Sequence, residues 1–149
     1  MNIPVNPTIS SSSASSSKNP TDILKSWEDT SGLAHASGGM RYDQDGELII
    51  PVKGHYYVYS QIYFQVTDNS TSFMIHFMYR TTSKGSKTII MRSIGSRCRA
   101  RRAKHYLFSG YQGGVFFLNE GDKLAVGVSE PQVISTAESA SFFGAFLIL

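Results

Sequence analysis

The chain has 149 residues, a length that suits a single domain with a substantial hydrophobic core. Charged residues make up 17% of the composition and the formal net charge is +3, so a nucleic-acid-binding function has little support. No stretch of about 18 apolar residues occurs and the N-terminus lacks a secretory signal, so we expect any targeting or membrane-spanning segment to lie outside this chain.

The first 22 residues are expected to lie outside the core. A short extended segment at 3–9 precedes a nearly pure serine tract at 10–19, and such a tract cannot bury enough apolar surface to form a core. We therefore predict an N-terminal strand and a flexible Ser-rich loop over 1–22. The core is predicted over 23–149, within one domain that spans 1–149.

From Ile23 onward, short apolar runs alternate with turn residues, a spacing typical of antiparallel strands in a sandwich or barrel. Eight Tyr, nine Phe and many β-branched residues suit pleated surfaces, and no amphipathic helix competes with them, so the fold class is predicted to be all-β. The predicted strands cover Glu47–Ile50, His55–Val66, Phe73–Arg80, Thr88–Ile94, His105–Leu118, Leu124–Val128 and Ser141–Leu149.

The predicted strand His55–Val66 has two distinct faces, because successive side chains in a strand alternate in direction. The even-numbered face is mostly apolar and suits a sandwich core. The odd-numbered face carries Tyr57, Tyr59 and Tyr63, whose rings end in polar hydroxyl groups. Amphipathic rings of this kind are enriched at protein interfaces, so this face is predicted to contact another molecule.

The last predicted strand, Ser141–Leu149, is apolar on both faces. With no predicted helix to cover the second face, another subunit is the expected cover. The residues alone therefore predict a β-sandwich that buries an aromatic outer face by self-association.

Three segments, in order along the chain, resemble the tumour necrosis factor (TNF) ligand family. The strand C signature of the family is similar to Gly-His-Tyr-Tyr-Val-Tyr-Ser-Gln-Ile-Tyr-Phe at 54–64. Its strand F to G segment is similar to 111–116 through 121–124, and its final strand is similar to 140–147. Ser26-Trp27-Glu28, Tyr-Gln-Gly-Gly at 111–114 and a lone cysteine further resemble one apoptosis-inducing member. The resemblance implies a jelly-roll of two antiparallel sheets that assembles as a homotrimer.

The resemblance also implies a set of residues at the contacts around the three-fold axis. For each of them, an ordinary place in the sandwich core is the alternative, and only for Tyr57 and Tyr59 does the two-face argument favour the interface. The predicted trimer-interface residues are Tyr57, Tyr59, Tyr111, Phe116 and Phe142.

Members of this family bind cysteine-rich TNF-receptor-family ectodomains in the grooves between subunits and cluster them, in some cases for apoptotic signalling. The resemblance implies that two connections take part here, at 83–86 and 132–137. The predicted receptor-binding residues are Ser83, Lys84, Gly85, Ser86, Gln132 and Ser135. Several death-receptor ligands carry an exposed tyrosine where this chain has Lys84, so an aromatic anchor is missing and the identity of the receptor stays open.

Cys98 is the single cysteine of the chain, so it cannot form an intrachain disulfide. In a trimer three copies of the thiolate could converge on one zinc ion, as the resemblance also implies. Arg97 and Arg99 would lower the thiol pKa, but they would also repel the metal. The alternative is a small buried apolar residue without a ligand.

A basic run follows the predicted strand Thr88–Ile94. It consists of Arg97, Arg99, Arg101, Arg102 and Lys104. Such a run could bind heparan sulfate or anionic lipid, and the alternative is a solvated loop.

Asn69-Ser70-Thr71 is an N-glycosylation sequon in a predicted turn, which is consistent with an extracellular loop. The resemblance implies the ectodomain of a single-pass type II membrane protein, either secreted or shed from its precursor.

No enzymatic motif is found, because the four histidines lack metal-ligand spacing and no Gly-x-Ser-x-Gly or phosphate-binding loop occurs. We therefore predict that the chain is not an enzyme. Two alternative functions use a similar fold: a C1q-like trimeric recognition module, and a glycan-binding jelly-roll whose tyrosines stack on sugars. Ser60-Gln61 and the residues 113–116 favour the TNF family over the C1q-like module.

Overall fold

The structure is a computed structural model that describes residues 6–7, 22–28, 36–66, 73–96, 106–135 and 139–149. A 3₁₀ turn at Pro131–Val133 is the helical element in this part of the chain. The strands are β1 (Asn6–Pro7), β2 (Asp22–Ile23), β3 (Trp27–Glu28), β4 (Arg41–Tyr42), β5 (Leu48–Ile49), β6 (Gly54–Val66), β7 (Phe73–Thr81), β8 (Lys87–Ser96), β9 (Tyr106–Leu118), β10 (Lys123–Val128) and β11 (Phe142–Leu147).

Two antiparallel sheets pack face to face. The three-stranded sheet has the order β11-β6-β9, and the six-stranded sheet has the order β4-β5-β10-β7-β8 with β2 paired to β10. Strands β1 and β3 form a separate short pair. The predicted all-β sandwich of two antiparallel sheets is confirmed.

The core lies between the two sheets and follows from the alternation of side chains along the strands. Buried and partly exposed residues alternate along the whole of β6, and Val58, Ile62 and Phe64 on its inner face are fully buried. They belong to the same buried cluster as Met78 and Val126 of the six-stranded sheet. The predicted core face of this strand is therefore confirmed.

The seven strands predicted from sequence correspond to β5 through β11, with small differences at their ends. Strand β1 lies within the N-terminal segment 1–22, where one strand was expected. Strands β2 to β4 were not predicted, because a strand of two residues is too short to show a two-residue period. The serine tract lies outside the described residues, so the flexible loop and the boundary at residue 22 stay predictions.

The connection between β9 and β10 is fixed by a buried carboxylate. Asp122, 1% exposed, accepts hydrogen bonds from the guanidinium of Arg80 and, at 2.9 Å, from the backbone N–H of Asn119. Gly121 has a φ of +80°, a left-handed conformation that favours glycine. The Arg80–Asp122 ion pair therefore joins β7 to the turn that precedes β10.

Candidate protein-interaction site

The outer face of the three-stranded sheet carries a continuous set of aromatic and aliphatic side chains. Residues that pair directly across antiparallel strands share a face, and Tyr57 pairs with Phe146 of β11 and with Val115 of β9. We call this surface the aromatic face. Its members are Tyr57, Tyr59, Tyr63, Leu107, Tyr111, Val115, Phe117, Phe142 and Phe146.

Rings pack side by side across the aromatic face. Tyr57 lies with its ring centroid 6.2 Å from that of Tyr59 and 5.4 Å from that of Phe146. Tyr59 also lies 6.2 Å from Phe142. These distances are in the range of favourable ring contacts, so the central strand and the last strand hold one another's aromatic side chains in place.

Two tyrosine hydroxyl groups are joined on this face. The Tyr57 and Tyr111 oxygens are 3.1 Å apart, a distance at which either can donate to the other. This hydrogen bond, together with burial, raises the pKa of Tyr111 to about 12. Burial alone raises the pKa of Tyr59 to about 12. Both rings stay uncharged well above neutral pH, so covering them does not require burying a charge.

Strand β9 leaves the aromatic face open to solvent. Four large side chains of its outer row, Leu107, Tyr111, Val115 and Phe117, are between 48% and 57% exposed. One strand that presents four such residues on one side forms an apolar patch of the kind that marks an interaction surface.

The structure brings together four of the five residues predicted at the trimer interface. Tyr57, Tyr59, Tyr111 and Phe142 lie on the aromatic face, whereas Phe116 pairs with Tyr56 and packs against the core cluster on the opposite side of the sheet. Phe116 therefore packs in the sandwich core, which was the alternative to a place at the trimer interface. Sequence reasoning missed Leu107, Val115, Phe117 and Phe146, although counting every second residue from Tyr111 identifies the members on β9.

The predicted receptor-binding turn between β7 and β8 is tight and fully exposed. The N–H of Thr82 donates to the carbonyl of Ser86 at 2.8 Å, and the N–H of Gly85 donates back to Thr82 at 2.8 Å. Gly85 has a φ of +85°. Ser83 and Lys84 project from this closed turn, so Lys84 is presented on a well-defined backbone.

The second predicted receptor-binding connection, 132–137, follows β10, and its residues 136–137 lie outside the described residues. Gln132 lies exposed on the 3₁₀ turn and donates a hydrogen bond to Glu130. The N–H of Ser135 donates to the carbonyl of Tyr63 at 2.8 Å, and its own carbonyl accepts from the Ser141 hydroxyl at 2.9 Å. The connection is therefore anchored to the three-stranded sheet.

These two connections lie at opposite ends of the six-stranded sheet. β10 begins with Lys123 paired to Thr81, beside the exposed turn, and ends with Val128 paired to His76. Within one chain the structure does not bring the two predicted receptor-binding segments together.

Comparison with known proteins decides the family. The model of the TNF (Tumour Necrosis Factor) family matches residues 25–148. The chain belongs to the TNF family. The predicted jelly-roll is the fold of this family, and the resemblance seen in the sequence is confirmed.

The relatives of this TNF-family chain are ligands of the same superfamily. It is 34% identical over 137 residues to tumor necrosis factor ligand superfamily member 10 (TRAIL) of Mus musculus, a match that covers 84% of this chain and 47% of the relative. It is 33% identical to member 6 of Homo sapiens, over 80% of this chain and 42% of the relative. Member 15 of Mus musculus is also 33% identical, over 82% of this chain and 53% of the relative.

The TNF-family chain spans about half the length of the curated relatives it matches. TNF-family ligands are not enzymes, which confirms the prediction that the chain is not one. In the part of the chain that the structure describes, no group of three or more His, Cys, Asp and Glu side chains could hold a metal ion.

Several predicted sites of the TNF-family chain lie outside the described residues. They are Cys98 with its proposed zinc ion, Asn69, and the basic run of Arg97, Arg99, Arg101, Arg102 and Lys104. The described residues include no helix long and apolar enough to cross a membrane.

Proposed function

We propose that this chain is the receptor-binding part of a TNF-family ligand and that it assembles as a homotrimer through the aromatic face. The observation that carries the proposal is the half-exposed apolar row of β9 beside the packed rings of β6 and β11. The inner face of the same sheet packs on the core, so the outer face is the side of this sheet that remains for a contact with another copy.

The chemistry of the aromatic face supports a permanent contact. The raised pKa values of Tyr59 and Tyr111 keep these two rings uncharged, and the exposed members of the face are mostly aliphatic or aromatic, which suits the large apolar interfaces of obligate oligomers. Membership of the TNF family supports three copies around an axis rather than two.

Receptor binding is proposed for the grooves between neighbouring subunits. The turn at 83–86 and the described part of the connection 132–137 lie at opposite ends of the six-stranded sheet, so an elongated receptor ectodomain could contact both at two levels. Lys84 is exposed on a rigid turn and Gln132 on the 3₁₀ turn, and both are available to a receptor. Clustering of receptors by the trimer, with the apoptotic signalling that the resemblance in the sequence implies, completes the proposal.

We place this domain outside the cell, as the ectodomain of a type II membrane precursor or as its shed form. The relatives are about twice the length of this chain and carry the name of ligands, which supports this placement.

Light scattering on the purified protein tests the assembly. The native chain is expected to show a mass three times its 16.4 kDa. Val115→Arg should give monomers, because it places a charge in the centre of the aromatic face at a residue already 56% exposed. Ile89→Arg, on the exposed side of the other sheet, is the matched control and should stay trimeric.

A native chain that is monomeric at micromolar concentration would contradict the trimer and favour the glycan-binding alternative. Receptor binding is tested separately, by surface plasmon resonance against a panel of TNF-receptor-family ectodomains. Lys84→Glu and Gln132→Ala should weaken binding to the cognate receptor without any change in mass.

A further inference from the structure

The outer side of the β7–β8 hairpin forms a second surface, on the far side of the sandwich from the aromatic face. Met74, His76 and Met78 of β7 are buried in the core, so the alternate residues of this strand point outward. We call this surface the hairpin face. Its members are Phe73, Ile75, Phe77 and Tyr79 on β7 and Lys87, Ile89, Arg92 and Ile94 on β8.

The hairpin face is apolar at one end. Phe73 is 61% exposed and Ile94 is 57% exposed. Phe77 and Tyr79 are buried further along the strand, within a small cluster that also includes Ala125. The face thus offers an apolar floor with uncovered side chains at its edge.

Two cations lie over the aromatic rings at the other end of the face. The Lys87 ammonium is 4.6 Å from the centroid of the Tyr79 ring, and the Arg92 guanidinium is 5.2 Å from that of Phe77. The two rings stack with their centroids 6.0 Å apart. The rings hold the two charges side by side and reduce the freedom of the long side chains.

Acidic residues are missing from the sequence around these two charges. The segment 69–119 carries nine of the 14 Lys and Arg residues and none of the 11 Asp and Glu residues. Among the described residues, the ion pairs involve Arg80 and Lys123 and neither cation of the hairpin face. The face is therefore positive and apolar at once.

We propose that the hairpin face binds a protein partner through an extended segment with acidic residues two positions apart, followed by apolar residues at the next alternate positions. Alternate residues of an extended segment share a face and are about 7 Å apart, which matches the spacing of the two rings. Two carboxylates would then meet Lys87 and Arg92, and the apolar side chains would cover Ile94 and Phe73.

The composition of the face favours a protein over the other anionic partners. A sulfated polysaccharide would meet the cations but would leave Phe73 and Ile94 uncovered. A second copy of the hairpin face would bring like charges together. The aromatic face cannot compete for the same contact, because the core separates the two surfaces. The proposal goes beyond the ligand function and does not require it.

The test is fluorescence anisotropy with a labelled peptide, Glu-Ser-Glu-Ser-Leu-Ser-Phe. Two matched peptides carry Gln in place of Glu, or Ser in place of Leu and Phe, and both are expected to bind more weakly. Arg92→Gln and the double variant Phe73→Ser with Ile94→Ser should each weaken binding of the first peptide about tenfold. Lys53→Gln, an exposed cation elsewhere, should leave the affinity unchanged.

Three results would overturn the proposal. The first is no binding at about 1 mM peptide, or equal binding of the Gln peptide. The second is binding of a heparin oligosaccharide that depends on Arg92 while the peptide does not bind. The third is a fall in the mass of the protein for the Phe73→Ser, Ile94→Ser variant, which would make this face a contact between copies. A monomeric native chain, or one that binds no receptor, would not change the peptide-binding result. The two proposals can therefore be refuted independently.

Discussion

A buried histidine links the two sheets and makes the stability of this domain depend on pH. His76 is 1% exposed, and its Nε2 lies 2.8 Å from the hydroxyl oxygen of Ser60 on the facing sheet. Gln112 donates a second hydrogen bond to the same oxygen at 3.3 Å. Burial lowers the pKa of His76 to about 4, and the opposing effect of the Gly110 backbone is smaller.

The size of the effect follows from the two protonation equilibria. An unfolded histidine has a pKa of about 6.5, and each tenfold difference in proton affinity corresponds to about 1.4 kcal/mol. The unfolded chain binds a proton as the pH falls below 6.5, while the folded chain keeps His76 neutral down to a pH of about 4. The stability supplied by neutral His76 is complete above the unfolded pKa. It falls by about 2.5 kcal/mol between about pH 7.5 and pH 4.5.

Urea denaturation at those two pH values, at one protein concentration, measures this loss. The native chain and His76→Gln are compared, because glutamine is polar but does not titrate. The native chain should lose about 2.5 kcal/mol more unfolding free energy than the variant. His55→Gln, at an exposed position on β6, is the matched control for the substitution of histidine by glutamine. Equal losses in the native chain and in His76→Gln would refute the reasoning.

Two further predictions concern the turn after β9 and the single cysteine. Asp122→Asn removes the buried partner of Arg80 and should cost about 3 kcal/mol in urea denaturation at neutral pH, whereas Glu120→Gln in the same turn should stay within about 0.5 kcal/mol of the native chain. A cost below about 1 kcal/mol for Asp122→Asn would argue against a structural role for the ion pair. If Cys98 binds zinc in the trimer, elemental analysis should find about one zinc ion per three chains, and the Cys98→Ser variant should contain none. A trimer without zinc would discard that site and leave the ligand proposal standing.

The strands and their faces could be predicted from the sequence because alternation along a strand determines both. The 13 residues of β6 show that alternation without interruption, and the buried and exposed sides are as predicted. The aromatic outer row of this strand therefore follows from the sequence alone. The hairpin face does not, because large apolar residues occupy both sides of β7 and the alternation there does not distinguish inside from outside.

Phe116 shows where resemblance and strand geometry conflict. Tyr111 and Phe116 are five residues apart, so they must lie on opposite faces of a regular strand, and the β6–β9 register contains no shift. The family resemblance implied that both residues lie at the same interface. Because one position is odd and the other even, their side chains instead lie on opposite faces of β9. The contact of His76 with Ser60 could not be predicted, because it joins two sheets whose packing the sequence pattern does not specify.

The pairing of β11 with β6 has a consequence for how the domain is made. Gln61 of β6 pairs with Phe142 of β11, so one edge of the three-stranded sheet joins parts of the chain that are synthesised far apart in time. Contacts of such long sequence separation form slowly, because a large loop must close before they contribute. Until β11 has been synthesised, the tyrosines of β6 lack the phenylalanines that pack beside them. In the proposed trimer, subunits would contact one another through a complete aromatic face only once β11 is in place, which would delay oligomerisation until each chain has folded.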